Sequence, residues 1–135
     1  MPVESIRSAQ ETIAWADHLV IVFPLWLGTM PALLKGFLEQ VLRPGFAITS
    51  ATGGSSWRKL LSGKSARIVV TMGMPAFIYR WYFRAHGIKN LNRNILGFCG
   101  IAPVRETPIG MIEAKNGSNR ERSLARMRVL GREGR

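Results

Sequence analysis

The run Leu19-Val20-Ile21-Val22-Phe23 is the feature that most restricts how this chain of 135 residues can fold. Continuous apolar residues without polar alternation are typical of a strand that is buried on both faces of a parallel sheet. A second such run covers residues 67–72 and ends at Gly73. Apolar residues at helical spacing come before and after the first run. The pattern therefore predicts an α/β fold in which helices and parallel strands alternate.

The remaining elements follow from the same periodicity. The spacing predicts helices over about 3–16, 30–42 and 89–98, and a final helix that carries Leu124, Met127 and Leu130. Residues 104–111 are predicted to form a third strand, which Pro108 confines to an edge or a bulge because proline cannot donate a ladder hydrogen bond. Residues 46–64 are predicted to be irregular, with a flexible loop over 52–56. One domain is expected, and the pattern does not separate its Rossmann and flavodoxin-like variants.

Composition excludes several classes of protein. Cys99 is the single cysteine, which excludes an intramolecular disulfide, and no cysteine–histidine cluster suggests a metal site. The longest apolar run, residues 19–27, is too short to span a bilayer. No signal peptide is visible at the start of the sequence, so a cytoplasmic protein is expected.

The net charge of +11 is unevenly distributed, because six arginines and one lysine crowd the last twenty-one residues against two glutamates. A solvated basic helix is the interpretation that we favour for this segment. The same charge would attract an anionic cofactor such as NADPH. Binding of nucleic acid is the least favoured alternative.

A loop of proline, tryptophan and glycine follows the first buried run. Pro24 ends the strand because it lacks a backbone donor, and ligands of open α/β sheets bind just past the carboxyl ends of strands. Trp26 and Leu27 would present large apolar faces there, while Gly28 and Thr29 would leave backbone N–H groups free near a helix N-terminus. A flat, mostly apolar ring with a polar edge, such as a flavin, suits this surface. Alternatively, Trp26 and Leu27 only cover the end of the sheet.

Two further segments are candidate parts of a site. The segment from Thr71 to Ala76 lies at the end of the second buried run, so Thr71, Met72 and Gly73 should reach the same edge of the sheet. Residues 79–86 interleave aromatic residues with arginine, a pattern that suits stacking of nucleic-acid bases, a pocket for nicotinamide or a quinone, or core or interface packing. Tyr79 and His86 in this stretch are candidate proton donors.

Several segments in this order resemble the flavodoxin-like NAD(P)H dehydrogenase (quinone) family, which includes quinone reductases, modulators of drug activity and ancillary proteins of potassium efflux. The segments that carry the resemblance are residues 16–26, 30–37, 44–47, 63–66, 70–75, 79–82 and 94–98. The resemblance implies a flavodoxin-like three-layer sandwich with a parallel sheet. It also implies an enzyme that passes hydride from NAD(P)H through FMN or FAD to a quinone or similar acceptor.

The resemblance also implies roles for individual residues. Pro24, Leu25, Trp26 and Leu27 would lie along the flavin ring, and Thr71, Met72 and Gly73 would line its other edge. Tyr79 and His86 would help to protonate the reduced product. Members of the family are homodimers with active sites at the subunit interface, so residues 77–83 would be partly interfacial.

The sequence departs from the family pattern at its beginning. The family starts with a strand, a phosphate-binding loop, a helix and a second strand, and none of these is recognisable here. Residues 1–135 are therefore expected to be an N-terminally truncated domain. In the strand order 2-1-3-4-5 the first strand is central, so residues 19–23 would become an exposed edge. The alternative function is a non-catalytic ancillary or regulatory partner, for example of an ion-efflux transporter, that keeps the fold without flavin.

Overall fold

The computed structural model describes residues 3–51, 56–113 and 117–135, which contain both helices and strands. In chain order the elements are α1 (Glu4–Trp15), β1 (His18–Pro24), α2 (Ala32–Val41), β2 (Ile48–Ser50), β3 (Trp57–Lys59), β4 (Ser65–Thr71), α3 (Ala76–Trp81), α4 (His86–Lys89), a π-helical segment (Asn90–Leu96), α5 (Gly97–Cys99), β5 (Val104–Ile109) and α6 (Ser118–Arg132). The predicted flexible loop falls largely on residues 52–55, outside the described residues.

The main sheet has three parallel strands in the order β1-β4-β5. The central strand, β4, is buried from Ala66 to Val70, as its uninterrupted apolar run predicts. Within the described residues β1 pairs only with β4, which leaves its other side as an open edge. Pro108 lies in β5 at the opposite edge, where a missing backbone donor costs no ladder hydrogen bond.

The helices cover both faces of this sheet. On one face α1 and α2 lie side by side, joined by a hydrogen bond of 2.8 Å from the Gln10 amide to the Val41 carbonyl. The main core lies beneath them and includes Phe23, Ile68 and Val70. On the other face α6 lies opposite Val69, and the two line a common apolar cavity. The architecture is thus the predicted three-layer α/β sandwich.

The structure corrects two of the predicted segments. The stretch predicted as irregular contains an antiparallel hairpin, in which Ile48 pairs with Lys59 and Ser50 with Trp57. Strands of three residues are too short to show alternation in the sequence. The predicted helix over 89–98 is divided, because residues 90–96 wind as a π-helix between α4 and α5. In this wider coil the Asn92 side chain donates a hydrogen bond of 2.8 Å to Glu106 in β5.

No helix within the described ranges is both long enough and apolar enough to cross a bilayer.

Candidate functional site

Backbone hydrogen bonds join the segments that leave the carboxyl ends of the three parallel strands. Leu25 N–H, after β1, donates to the Thr71 carbonyl at 2.8 Å, and Met72 N–H, after β4, donates to the Ile109 carbonyl at 2.9 Å. Ile112 N–H returns a hydrogen bond to the Met72 carbonyl at 3.1 Å. The two loops singled out in the sequence therefore lie against each other, as parallel strands require.

The loop after β1 closes in a tight turn from Trp26 to Thr29. Each of these residues donates its N–H to the carbonyl of the other, at 2.9 and 3.1 Å. Leu27 and Gly28 between them have φ of 50° and 80°, the signature of a type I′ turn. The Thr29 N–H is therefore used inside the turn, so the expectation that it is free for a ligand is wrong.

This turn exposes the two large apolar residues that precede its glycine. The Trp26 side chain is 62% exposed and that of Leu27 fully exposed. A left-handed backbone conformation raises the free energy of a residue that has a side chain by about 1–2 kcal/mol. Leu27 bears this cost although its side chain gains no compensating burial. Such outliers concentrate at ligand clamps and other functional positions.

The loop after β4 offers mainly backbone to the same edge. Thr71 is half-buried, and the Met72 side chain is buried in the core. Gly73 is exposed, and a Cβ placed on it would lie 4.0 Å from Oε2 of Glu113. Of the three predicted residues, Gly73 therefore gives the open surface, and Glu113 is a neighbouring carboxylate that the sequence did not indicate.

Tyr79 contacts the loop that follows β1. Its side chain is 1% exposed, and the hydroxyl donates a hydrogen bond of 3.2 Å to the Gly28 carbonyl. Burial raises the pKa of the Tyr79 phenol, and the nearby backbone N–H groups of Ile88 and Gly87 offset part of this rise. The phenol is therefore neutral and able to donate at physiological pH.

The other candidate residues near Tyr79 in the sequence are exposed, whereas Tyr79 is buried. His86 is exposed at the first residue of α4, directly after two residues in the left-handed region. The large side chains of Phe77, Trp81 and Tyr82 are also exposed. The stretch therefore has one buried member, Tyr79, among side chains that face solvent.

Two glycines that the sequence did not single out hold the loops at close range. A Cβ on Gly87 would lie 2.5 Å from the Gly28 carbonyl oxygen and 2.8 Å from the Thr29 Cα. A Cβ on Gly110 would lie 2.4 Å from the backbone nitrogen of Ala76. A lone glycine in a sequence gives no sign of such an approach, because the neighbouring backbone comes from a distant segment.

The comparisons with known proteins agree on the fold. A family model described as "Flavodoxin-like fold" matches residues 2–130. The crystal structure of Smu.1420 from Streptococcus mutans superposes with a TM-score of 0.83 at 34% identity, over 97% of this chain and 68% of that one.

Two curated relatives carry functional names. An "Uncharacterized NAD(P)H oxidoreductase" of Haemophilus influenzae is 34% identical over 106 residues, which are 75% of this chain and 50% of that protein. The "Glutathione-regulated potassium-efflux system ancillary protein KefG" of Escherichia coli is 46% identical over 67 residues, or 48% of this chain and 33% of that protein. The matches thus span a third to a half of these relatives' lengths.

Replacement of Gly87 by alanine should disrupt the contact between α4 and the turn. The added methyl meets backbone atoms that cannot rotate away, so we expect a loss of about 1–3 kcal/mol in the free energy of unfolding, measured with urea. Gly36→Ala is the control, since nothing lies within 4 Å of that site and alanine favours a helix interior. Equal stability of the two variants would contradict the close approach.

Burial of Tyr79 predicts a specific pH dependence of stability. The unfolded chain ionises this phenol near its ordinary pKa of 10.0, whereas the folded chain keeps it neutral to higher pH. The stabilisation is therefore complete below about pH 10 and is lost as the pH rises through the folded-state pKa. In urea unfolding from pH 7 to 11, the advantage of the wild type over Tyr79→Phe should be constant at first and then shrink. Parallel curves throughout would show that the phenol is not buried.

Proposed function

Because this chain belongs to the flavodoxin-like fold family, we propose that it is the ring-binding part of a flavin-dependent NAD(P)H oxidoreductase that reduces quinones or similar acceptors. When bound, FMN or FAD would supply the redox chemistry by accepting hydride from NAD(P)H and passing it on. The protein's share is to bind the ring, orient the reactants and supply protons. The name of the Haemophilus influenzae relative supports the reaction class.

The observation that carries the proposal is the exposed type I′ turn at the carboxyl edge of the sheet. Trp26 and Leu27 form an apolar surface that faces solvent, where apolar groups gain nothing from burial. The turn also holds Leu27 in an unfavourable backbone conformation. These properties suit a planar ring that lies on Pro24, Leu25, Trp26 and Leu27. The described residues therefore fit the ring.

The second loop would complete the ring site from the other side. Thr71 and Met72 are already fixed by backbone hydrogen bonds to the neighbouring segments. At Gly73 the absence of a side chain leaves room for close approach of a ligand to the backbone. In this arrangement Thr71, Met72 and Gly73 would line the other edge of the ring.

We assign the proton-donor roles to Tyr79 and His86. His86 is exposed and can meet an acceptor directly. The Tyr79 hydroxyl donates its hydrogen bond to the Gly28 carbonyl. It must therefore give up this hydrogen bond in order to protonate the quinone or similar acceptor during turnover. The exposed side chains of Phe77, Trp81 and Tyr82 suit the homodimer interface that the proposal includes.

A second candidate function is that of a non-catalytic ancillary subunit. The identity of 46% to KefG, the ancillary protein of a potassium-efflux system, is the observation that favours it. Such a subunit would keep the fold without holding a flavin. The two functions therefore differ in whether the turn binds a ring.

Titration with riboflavin and with FMN separates these functions. Riboflavin carries the ring without the phosphate, so quenching of its fluorescence by the chain reports the ring site alone. Loss of the Trp26 stacking surface in Trp26→Ala should weaken binding by about 5-fold to 100-fold, the usual worth of an aromatic platform. Trp57→Ala in the β2-β3 hairpin is the matched control, since Trp57 is also half-exposed. Absence of quenching, or equal affinity in both variants, would reject the ring site.

Turnover tests the proton donor. In flavin-loaded protein supplied with NADH and a quinone, Tyr79→Phe should lower kcat by roughly 10²–10⁴-fold, because a positioned general acid contributes about that much. Tyr82→Phe removes the same hydroxyl from an exposed neighbour and should leave kcat unchanged. If Tyr79→Phe also turns over normally, Tyr79 has no part in the mechanism.

A further inference from the structure

The helix α6 has two sides of different character. Toward the sheet it presents Ser123, Met127 and Leu130, which line the apolar cavity between α6 and the strands. Between Glu121 and Arg132, the residues that do not line this cavity are all exposed: Glu121, Arg122, Ala125, Arg126, Arg128, Val129 and Arg132. These seven residues are called the outer face of α6 below.

The outer face is strongly basic. Its cations are four arginines: Arg122, Arg126, Arg128 and Arg132. Glu121 is its only carboxylate. The ion pairs within the described ranges use Glu39 and Glu133, neither of which belongs to this face, so they leave its arginines uncompensated. Like charges one helical turn apart destabilise a helix, and an anionic surface nearby would remove this repulsion.

The arginines are arranged in two rows. At 3.6 residues per turn, Ala125 and Val129 lie along the middle of the outer face. Arg122 and Arg126 form the row on one side of this line, and Arg128 and Arg132 form the row on the other side. The Val129 side chain is 51% exposed, so the line between the rows is apolar and open to solvent.

The basic surface continues from α6 to the edge of the sheet. Arg105 of β5 is exposed and pairs in register with Arg67 of β4. Burial lowers the pKa of Arg67, and the nearby positive charges of Arg105 and Arg126 lower it further. Arg105 therefore lies beside the row of the outer face that contains Arg126.

We propose that the outer face of α6, together with Arg105, docks the chain on the surface of an anionic phospholipid membrane. Guanidinium groups bind phosphate oxygens through paired hydrogen bonds, and Ala125 and Val129 would enter the headgroup layer between the two arginine rows. The docking is peripheral and reversible, because the charges supply most of the attraction and the apolar line is short.

This docking is independent of the proposed oxidoreductase activity. Where that activity also holds, docking would bring the chain to the phase in which lipophilic quinones dissolve. A binding assay without flavin or NAD(P)H tests the docking alone, so its failure is distinct from a failure of the proposed function.

The composition of the outer face favours a membrane over other anionic partners. α6 contains no aromatic residue on which a nucleic-acid base could stack. Ala125 and Val129 occupy the middle of the face, where a helix that reads a DNA groove carries polar side chains. A second copy of this chain would bring like charges together, in a protein of net charge +11.

Sedimentation with lipid vesicles tests the docking. Vesicles with about one-third phosphatidylglycerol in phosphatidylcholine should bind the chain at about 0.1 M salt, and vesicles of phosphatidylcholine alone should not. Replacing the four arginines of the outer face by glutamine should lower the partition coefficient on the anionic vesicles by about 10²-fold to 10³-fold, since each arginine near such a surface contributes about fivefold.

The matched control replaces four exposed arginines of other segments by glutamine: Arg7, Arg43, Arg58 and Arg93. Both variants lose four positive charges, so an effect of net charge alone would be equal in the two. The control should keep the partition coefficient within about threefold of the wild type, because charges beyond a Debye length of about 10 Å from the membrane are screened. Equal binding of the two variants, or no binding of the wild type to anionic vesicles, would overturn the proposal.

A single substitution separates a membrane from other polyanions. Val129→Gln should weaken vesicle binding by about 3-fold to 10-fold, because the apolar contact with the headgroup layer is lost, and it leaves every arginine in place. A short DNA duplex and polyglutamate are the competing probes. If either probe binds through the outer-face arginines while the anionic vesicles do not, the surface belongs to nucleic acid or to an acidic protein, and the membrane proposal is wrong.

Discussion

The pairing of β4 with a parallel strand on each side is the constraint on which the rest of the molecule depends. Its residues Ala66 to Val70 are buried, and a one-residue shift in register would turn each side chain to the opposite face, which would bring Arg67 into the main core. The register in turn fixes where β1 and β5 end. The segments that follow all three strands therefore meet at a single edge, with backbone atoms close enough to form hydrogen bonds between them.

At that edge, close approach replaces side-chain packing. Gly87 lets α4 contact the backbone of the turn, and Gly110 lets the end of β5 contact the start of α3. The Tyr79 hydroxyl adds a side-chain hydrogen bond to the same turn through Gly28. The turn thus depends on a residue far along the chain, and a substitution at Gly87 would shift the turn itself.

The sequence predicts the parts of the fold that depend on local pattern. The uninterrupted apolar runs identify β1 and β4, and Pro108 identifies an edge strand. The hairpin that contains Ile48 and Trp57 is not predicted from the sequence, because strands of three residues show too little periodicity. The π-helical segment around Asn92 is not predicted either, because it depends on tertiary contacts. For the site, the pattern places the loops at the right edge, but it does not show that the Thr29 amide is used internally.

The turn from Trp26 to Thr29 has a consequence for the thermodynamics of binding. Its backbone is held by mutual hydrogen bonds and by the Tyr79 contact before any ligand arrives. Binding of a ligand to the turn therefore costs little conformational entropy of the protein main chain. The remaining ordering cost is that of fixing the Trp26 and Leu27 rotamers, about 0.5–1.5 kcal/mol for each side chain. Because the turn is ordered on folding, little of the main-chain ordering cost would be subtracted from the affinity for the planar ring that we propose.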